Sequence, residues 1–293
     1  MRRAFAVILV LLVIWGIATI AAKSLDGISF SVTNNIVMVP IKGTIVSSNG
    51  GLLEEGITPD YVISYLEKAE KDSSVKGIIL DINSGGGAVL PSKEIANKVK
   101  SIQKPVVALI RDVGASGAYW VASASDKIVA DSLSITGSIG VRSGYLEFSD
   151  LMEDYGIKYE SLTGGKYKDA GSPYRDLTDE ERTLLQNKIN LIHEAFIKEV
   201  SDNRGVNLRP YATGMFFLGE EAIKLGMIDY LGNKDKALEV VKELAGIKEA
   251  KIIVYERKKT LKDVISQFVG EMSFKIGTGI GESFKADSFK VEA

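Results

Sequence analysis

Three short runs of apolar and β-branched residues constrain the fold of this chain more than any other feature. The runs lie at Val75–Asp81, Pro105–Ile110 and Lys127–Ala130. Short continuous apolar runs are typical of parallel strands that are buried on both faces. Helical segments are predicted between them, at about Pro91–Gln103 and Ala115–Ala124. Strands that alternate with helices at this spacing predict βαβ units and a layered α/β fold.

Further elements extend this pattern in both directions. Thr58 followed by Pro59 predicts the start of a helix that runs to about Lys71. Thr178 and Glu181 form a capping-box pattern that opens a long helix ending near Asn203. The remaining predicted elements are strands at Asn35–Ile45, Lys158–Leu162 and Lys251–Tyr255 and helices at Gly219–Gly226 and Lys234–Ala245.

An uncharged, mostly apolar run occupies Ala4–Ala22, directly after Arg2 and Arg3. As a helix, these residues would cover about 28 Å, close to the hydrocarbon thickness of a bilayer. The two arginines favour a cytoplasmic N-terminus, with the rest of the chain outside. We therefore predict a membrane anchor at residues 1–22 and a linker at 23–34. A cleaved signal peptide is the alternative, because the run ends in small residues.

Composition excludes several kinds of site. The 293 residues contain no cysteine, so thiol catalysis, disulfides and thiolate metal sites are ruled out. With a single histidine, His193, a multi-histidine metal site is ruled out as well. The net charge is −2 and no long basic run appears, which argues against a nucleic-acid partner.

Three glycine-rich or polar segments are candidates for a site. Asp81–Gly87 and Arg111–Gly117 each follow a predicted strand of the βαβ region, and Gly165–Asp169 follows the predicted strand at Lys158–Leu162. In open α/β sheets, sites assemble at the carboxyl ends of the strands. These segments are therefore where we look for functional groups.

Ser116 lies in the second of these segments, between Gly114 and Gly117. Small neighbours permit a tight strand-to-helix turn and leave the hydroxyl accessible, as a nucleophile requires. The spacing differs from the Gly-x-Ser-x-Gly motif of α/β-hydrolases. An ordinary turn in which Ser116 caps the following helix is the alternative interpretation.

The glycine run of the first segment offers backbone N–H groups that no side chain shields. Such groups can stabilise an oxyanion, and one donor is often worth about 3 kcal/mol. A phosphate-binding turn and a plain loop are the alternatives, although no Gly-x-x-x-x-Gly-Lys-Ser/Thr pattern is present.

A serine nucleophile needs a base, and a lysine can act as one when it is neutral. The pKa of a free lysine is about 10.4, and burial lowers it. Lys168 precedes a turn of small residues, and Lys166 is the local competitor. A solvated loop charge is the alternative for both. His193 lies beside the apolar stripe of the long helix and is interpreted as a packing or surface residue.

Taken together, these segments resemble the signal peptide peptidases of the SppA type, serine proteases with a Ser–Lys dyad and a crotonase/Clp-protease-like fold. The resemblance covers about residues 36–232. It is carried by five motifs: Asp81-Ile-Asn-Ser-Gly-Gly-Gly, Asp112-Val-Gly-Ala-Ser-Gly-Ala-Tyr, Ile135-Thr-Gly-Ser-Ile-Gly-Val, Lys166-Tyr-Lys-Asp-Ala and Gly219-Glu-Glu-Ala-Ile-Lys-Leu-Gly-Met-Ile-Asp. It implies a Ser–Lys protease domain at residues 35–247, followed at 248–293 by a strand and an amphipathic or flexible tail.

The resemblance also implies roles for individual residues. Ser116 is expected to be the nucleophile, Lys168 the general base, and Ser138 the residue that orients the lysine amine. The oxyanion donors are expected to be the backbone N–H groups of Gly85, Gly86 and Gly117. At positions 83–84 this chain has Asn-Ser where many relatives have Ser-Pro or Thr-Pro.

The function implied is a membrane-anchored endopeptidase that degrades remnant signal peptides and other apolar peptides, without metal or cofactor. The catalytic domain is expected outside the cytoplasm, and copies are expected to assemble into a ring. Three alternatives remain: a related membrane protease that cuts a specific stomatin-like partner, a crotonase-type enzyme acting on acyl-CoA, and a non-catalytic membrane scaffold.

Overall fold

The computed structural model describes residues 34–48 and 56–256 and the isolated residue Met272. The predicted anchor at 1–22, nearly all of the linker at 23–34, and the tail beyond residue 256 other than Met272 lie outside this part. Within it, no helix combines the length and the apolar character that crossing a bilayer requires.

The centre of the fold is an eight-stranded, mostly parallel sheet. Its strands follow the order β6-β5-β3-β2-β1-β8, with β4 paired to β3 and β7 paired to β4. Only the pairing of β5 with β6 is antiparallel. The strands are β1 (Asn35–Lys42), β2 (Val75–Ser84), β3 (Val106–Ala115), β4 (Lys127–Ala130), β5 (Ile135–Gly137), β6 (Phe216–Leu218), β7 (Tyr230–Leu231) and β8 (Lys251–Val254).

Seven α-helices accompany the sheet in the described part of the chain. They are α1 (Pro59–Lys71), α2 (Val89–Ser101), α3 (Gly117–Ser123), α4 (Ser149–Asp154), α5 (Asp179–Arg204), α6 (Gly219–Lys224) and α7 (Lys234–Leu244). The prediction of a layered α/β fold is confirmed, and most predicted helices and strands agree with these bounds within a few residues.

Alternate residues of the central strands build two separate cores. Ile78, Leu80 and Ile82 of β2 pack in the larger core, which also contains buried residues of α1, α2, α3 and α5. Ile79 of the same strand faces the smaller core beneath α7. Successive side chains of a strand point to opposite faces, so the sheet lies between two helical layers.

Strands β2 and β3 extend past their predicted ends at Asp81 and Ile110. Their register shifts there, because Ile82 pairs with Ile110 whereas Ser84 pairs with Gly114. The side chain of Asn83 bridges the irregularity: its oxygen accepts from the Val113 N–H at 3.1 Å and its amide donates to Asp112 at 3.0 Å. The segment predicted as a loop therefore begins as a continuation of the sheet.

Residues 142–178 leave the sheet as a long excursion, which we call the arm. It contains α4 as its only helix, and no residue from Arg142 to Glu180 is buried. The strand predicted at Lys158–Leu162 is wrong, because this segment has no strand structure. A strand needs a neighbour to satisfy its backbone, and the arm runs away from the sheet that would supply one.

The arm returns to the fold at the start of α5. The predicted capping box is confirmed, since Glu181 N–H donates to the Thr178 hydroxyl at 3.2 Å and Thr178 N–H donates to Glu181 at 3.0 Å. The predicted apolar stripe of this helix is buried only in its second half. Phe196 and Val200 are buried, whereas Leu184 and Leu185 are more than a third exposed.

Candidate active site

Ser116 connects the end of β3 to the start of α3 in a strained turn. Its φ of 54° and ψ of −125° fall in a region that a residue with a side chain rarely adopts. Its N–H donates to the Gly137 carbonyl at 2.8 Å, which ties the turn to β5. Backbone strain of this kind costs about 1–3 kcal/mol and concentrates at functional sites.

Ser138, which directly follows β5, is the second residue with an unusual backbone conformation. With a φ of 51°, it and Ser116 are the only non-glycine residues of positive φ in the described part of the chain. Its N–H donates to Met215 O at 2.9 Å and its hydroxyl donates to Gly214 O at 3.0 Å. The segment entering β6 therefore holds Ser138 through both its backbone and its side chain.

The glycine run after β2 presses against the Ser116 turn. A Cβ added at Gly86 would lie 2.5 Å from the Gly117 nitrogen and 2.9 Å from the Ala115 oxygen. The hydroxyl of Ser84, which is buried, accepts from Gly86 N–H at 3.1 Å and donates to the Gly43 carbonyl at 2.6 Å. The buried Ser84 side chain and the backbone of Ile45, whose N–H donates to Gly86 O at 2.9 Å, together fix the position of the glycine run.

The backbone donors near Ser116 differ in their availability. Gly117 is the first residue of α3, so its N–H has no acceptor within that helix. The N–H of Gly86 is already engaged by Ser84. The Gly87 nitrogen lies 3.4 Å from the position of a Cβ on Gly117. Sequence reasoning did not single out Gly87, although it belongs to the same run. Gly85 is exposed, as is Gly87, and a Cβ on Gly85 would contact nothing within 4 Å.

A cavity of about 840 Å³ brings most of the predicted site together. Ser116, Ser138 and the predicted oxyanion glycines line it. The middle of α5 also lines it, with Gln186, Ile189, Asn190, His193 and Phe196. His193, interpreted from the sequence as a packing or surface residue, lies in this lining, and its Nε2 is 3.1 Å from the Ile139 oxygen.

Two stacked aromatic rings support the cavity. The rings of Trp120 and Phe196 lie 4.4 Å apart and nearly parallel, and both residues are buried. The Trp120 indole donates to Glu199 at 2.9 Å, and Glu199 also forms an ion pair with Lys93. Since Trp120 belongs to the helix that follows Ser116, these contacts fix α3 against α5.

Of the predicted site residues, Lys168 is the one that does not line this cavity within a single copy of the chain. It lies in an exposed turn of the arm, where its N–H donates to Gly165 O at 3.1 Å, and it is not among the residues that line the cavity. Its amine has no hydrogen-bond partner among the residues that the structure describes. A single copy therefore assembles Ser116, Ser138 and the glycines without their predicted base.

The amine of Lys166, the competing candidate for the base, is already paired with a carboxylate. Its amine forms an ion pair with Glu180 at 2.6 Å. Hydrogen bonds to Glu180 and Tyr167 raise the pKa of Lys166 above its ordinary value. A base must be neutral to accept a proton, so this environment disfavours Lys166 for that role.

An ion-pair network holds the turn that contains Lys168. Arg175 bonds Glu181 at 2.7 Å and Asp169, the neighbour of Lys168, at 2.9 Å. Asp169 also accepts from the Tyr159 hydroxyl at 3.0 Å. Because Arg175 and the Thr178 backbone bond its carboxylate, the pKa of Glu181 is lowered to about 2. The arm is therefore anchored to the start of α5 by charge, although it lacks a core of its own.

Comparison with known proteins places this chain in a family. The family model described as Peptidase family S49 matches residues 98–248, which are 151 of the 293 residues of this chain. The chain belongs to peptidase family S49. It is therefore a serine protease, and this assignment favours peptide hydrolysis over the acyl-CoA chemistry of crotonase-type enzymes.

Individual S49 relatives match most of this chain. The "Putative protease MJ0651" of Methanocaldococcus jannaschii is 40% identical over 229 residues, covering 76% of this chain and 72% of that protein. The "Putative signal peptide peptidase SppA" of Enterococcus faecium is 30% identical over 233 residues, covering 77% and 68%.

A solved structure shares the fold. The 1510-N membrane-bound stomatin-specific protease matches with a TM-score of 0.52 over 77% of this chain and 99% of that chain. The sequence identity is 16%, so this likeness concerns the fold alone.

Proposed function

We propose that this S49 protease is an endopeptidase in which Ser116 is the nucleophile and Lys168 of a second copy is the general base. The observation that carries the proposal is the strained Ser116 turn, pressed against the glycine run at the edge of a large cavity. The exposed Lys168 amine, which has no hydrogen-bond partner among the described residues, supports a base delivered from another copy.

The reaction follows from these groups. Neutral Lys168 takes the proton of Ser116 Oγ as that oxygen bonds to the peptide carbonyl carbon. Backbone N–H groups of Gly117 and of the glycine run stabilise the oxyanion, about 3 kcal/mol for each donor. Lysine then returns the proton to the leaving amine. Water, deprotonated by the same lysine, attacks the acyl-enzyme, releases the second product and restores Ser116.

Ser138 fits the role of orienting the lysine amine. A serine hydroxyl has one proton to donate and two lone pairs to accept with. The proton is used in the bond to Gly214 O. The oxygen can therefore accept an N–H from an incoming lysine, which leaves the nitrogen lone pair of that lysine free for Ser116.

The arm supports assembly with other copies. Ten large apolar side chains are exposed along it, and Leu162 is fully exposed. Apolar exposure on this scale in one segment marks an interaction surface. Packing the arm against the next copy would cover these residues and could bring Lys168 to that copy's cavity, and repetition would close a ring. The exposed residues are Tyr145, Leu146, Phe148, Leu151, Tyr155, Ile157, Tyr159, Leu162, Tyr167 and Tyr174.

We further propose that the substrates are remnant signal peptides and other apolar peptides at a membrane. The predicted anchor at residues 1–22 would hold the catalytic domain on the extracytoplasmic side and raise its concentration near such peptides. The apolar side chains of Trp120, Ile189 and Phe196 in the cavity lining and the name of the Enterococcus faecium relative support this substrate class.

Digestion of apolar peptides and of a mixed peptide library, read by mass spectrometry, tests the proposal. We expect Ser116→Ala and Lys168→Ala to abolish cleavage while circular dichroism shows a retained fold. Lys166→Ala is the matched control and should keep most of the activity. Cleavage by either of the first two variants at the wild-type rate would refute the assignment of the dyad. Cleavage confined to one site in a single partner protein would refute the substrate class and favour a partner-specific protease.

A further inference from the structure

Arg142 stands out among the residues around the cavity. It is the first residue of the arm, four positions after Ser138, and it lines the same cavity as Ser116. Among the described residues that line the cavity, it is the only lysine or arginine, and none of them is an aspartate or glutamate. The described lining of the cavity therefore carries a single fixed charge, and that charge is positive.

The guanidinium of Arg142 has no partner among the residues that the structure describes. Arg111, Arg175, Arg204 and Arg209 each form an ion pair with a carboxylate. Arg142 forms none, and its side chain is exposed. Because no described residue of the lining is acidic, the Arg142 guanidinium can bind an anionic group of a molecule that enters the cavity.

We propose that Arg142 is a specificity-determining residue that binds a carboxylate of the peptide substrate. This inference rests on the proposed function and extends it, because it adds a contact to an anionic group of the substrate to a cavity lining that is otherwise uncharged among the described residues. The planar guanidinium presents paired donors that match a carboxylate and can form two parallel hydrogen bonds. The carboxylate belongs either to an acidic side chain near the scissile bond or to the C-terminus of the peptide.

Two further side chains in the wall suit this contact. Gln186 and Asn190 line the cavity one helical turn apart, and the Gln186 amide donates to Asn190 at 2.9 Å. The remaining amide N–H groups of this pair can donate to a polar group of the substrate. Neither residue carries a charge, so the sign of the preference depends on Arg142.

Matched peptides test the proposal. One pair compares Glu with Gln at each of the three positions on either side of the cut, and a second compares a free C-terminal carboxylate with an amide. For one of these pairs we expect wild-type kcat/KM to favour the carboxylate about tenfold, as for a charge-assisted bidentate bond. Raising NaCl from 0.05 to 0.5 M should reduce that ratio, since salt screens an exposed pair. The pair that responds identifies the source of the carboxylate.

Three variants separate recognition from structure. Arg142→Gln should bring the ratio to about one, and Arg142→Lys should restore part of it because the charge returns without the paired donors. Arg182→Gln, at an exposed arginine outside the cavity lining, should leave the ratio unchanged. A ratio near one in the wild type, or an equal loss for both peptides of each pair in Arg142→Gln, would overturn the proposal.

Binding of the same peptides to Ser116→Ala, measured by fluorescence anisotropy, separates this inference from the proposed function. A carboxylate preference in binding without wild-type cleavage would support the Arg142 site and refute the peptidase mechanism. Cleavage without a carboxylate preference in turnover or binding would support the peptidase mechanism and refute the Arg142 site. The absence of both cleavage and preference would refute the mechanism and the site together.

Discussion

Replacing Gly86 with alanine perturbs the site at its tightest backbone contact. The added Cβ would lie 2.5 Å from the Gly117 nitrogen, 2.9 Å from the Ala115 oxygen and 3.1 Å from the Ser116 Cβ. The two nearest atoms belong to the backbone, so no change of rotamer relieves the contact. Relief requires that the glycine run and the Ser116 turn move apart.

The size of the effect follows from two costs. The φ of Gly86 is +90°, and a residue with a Cβ in a left-handed conformation costs about 1–2 kcal/mol. Overpacking a well-packed site costs about 1–3 kcal/mol more. Together these give a loss of about 2–5 kcal/mol in the free energy of unfolding. A domain of this size loses about 2–4 °C in Tm per kcal/mol, so Tm should fall by roughly 4–20 °C.

The kcat of Gly86→Ala should fall by more than its loss of folded protein explains. Movement of the glycine run away from Gly117 separates the oxyanion donors, and the loss of one donor costs about 10²–10³ in kcat. Thermal unfolding and peptide hydrolysis on the same preparation measure both effects. Gly85→Ala is the stability control, because a Cβ there meets nothing within 4 Å. A Gly86→Ala protein as stable as Gly85→Ala, with wild-type kcat, would refute this reasoning.

The remaining predictions concern the charge network that holds the arm. Glu181 has a folded-state pKa of about 2 against an ordinary 4.5, so its contribution to stability is present above pH 4.5 and is lost as the pH falls towards 2. The backbone amides of the arm should therefore lose protection from hydrogen exchange between pH 4.5 and about pH 2, once the intrinsic exchange rates are corrected for pH. Glu181→Gln should make the arm cleavable by trypsin at pH 7. Glu180→Gln, which removes the ion pair to Lys166 and weakens the hydrogen bond from Tyr167, should have a smaller effect because the Arg175–Glu181 pair remains. Equal cleavage of both variants would contradict the role of Arg175–Glu181.

Much of the fold could be predicted because its signals are local. The apolar runs of β2, β3 and β4 and the capping box at Thr178 depend on neighbours in sequence, and the structure confirms them. The register shift at Asn83 could not be predicted, since it depends on a side chain of one strand bonding the backbone of the next. The false strand at Lys158–Leu162 arose because local composition does not reveal whether a partner strand is available.

The candidate site, like the fold, has features that the sequence predicts and features that it does not. The small residues around Ser116 indicated a tight turn, and the structure has the strained backbone that such neighbours permit. The position of His193 in the cavity wall was missed, because one residue beside an apolar stripe looks like packing until the facing element is known. Gly87 was passed over because the sequence does not show which N–H of the run Ser84 will engage.

Mixing two inactive variants tests the central claim, that Lys168 of one copy acts on Ser116 of another, most directly. Purified Ser116→Ala and Lys168→Ala proteins are dissociated, combined in equal amounts, reassembled and assayed for peptide hydrolysis. Random assembly of a cyclic oligomer gives an intact Ser116–Lys168 pair at about a quarter of the sites, so about a quarter of wild-type activity should return. Activity that stays at the level of the separate variants, in assemblies shown to contain both chains, would contradict the account.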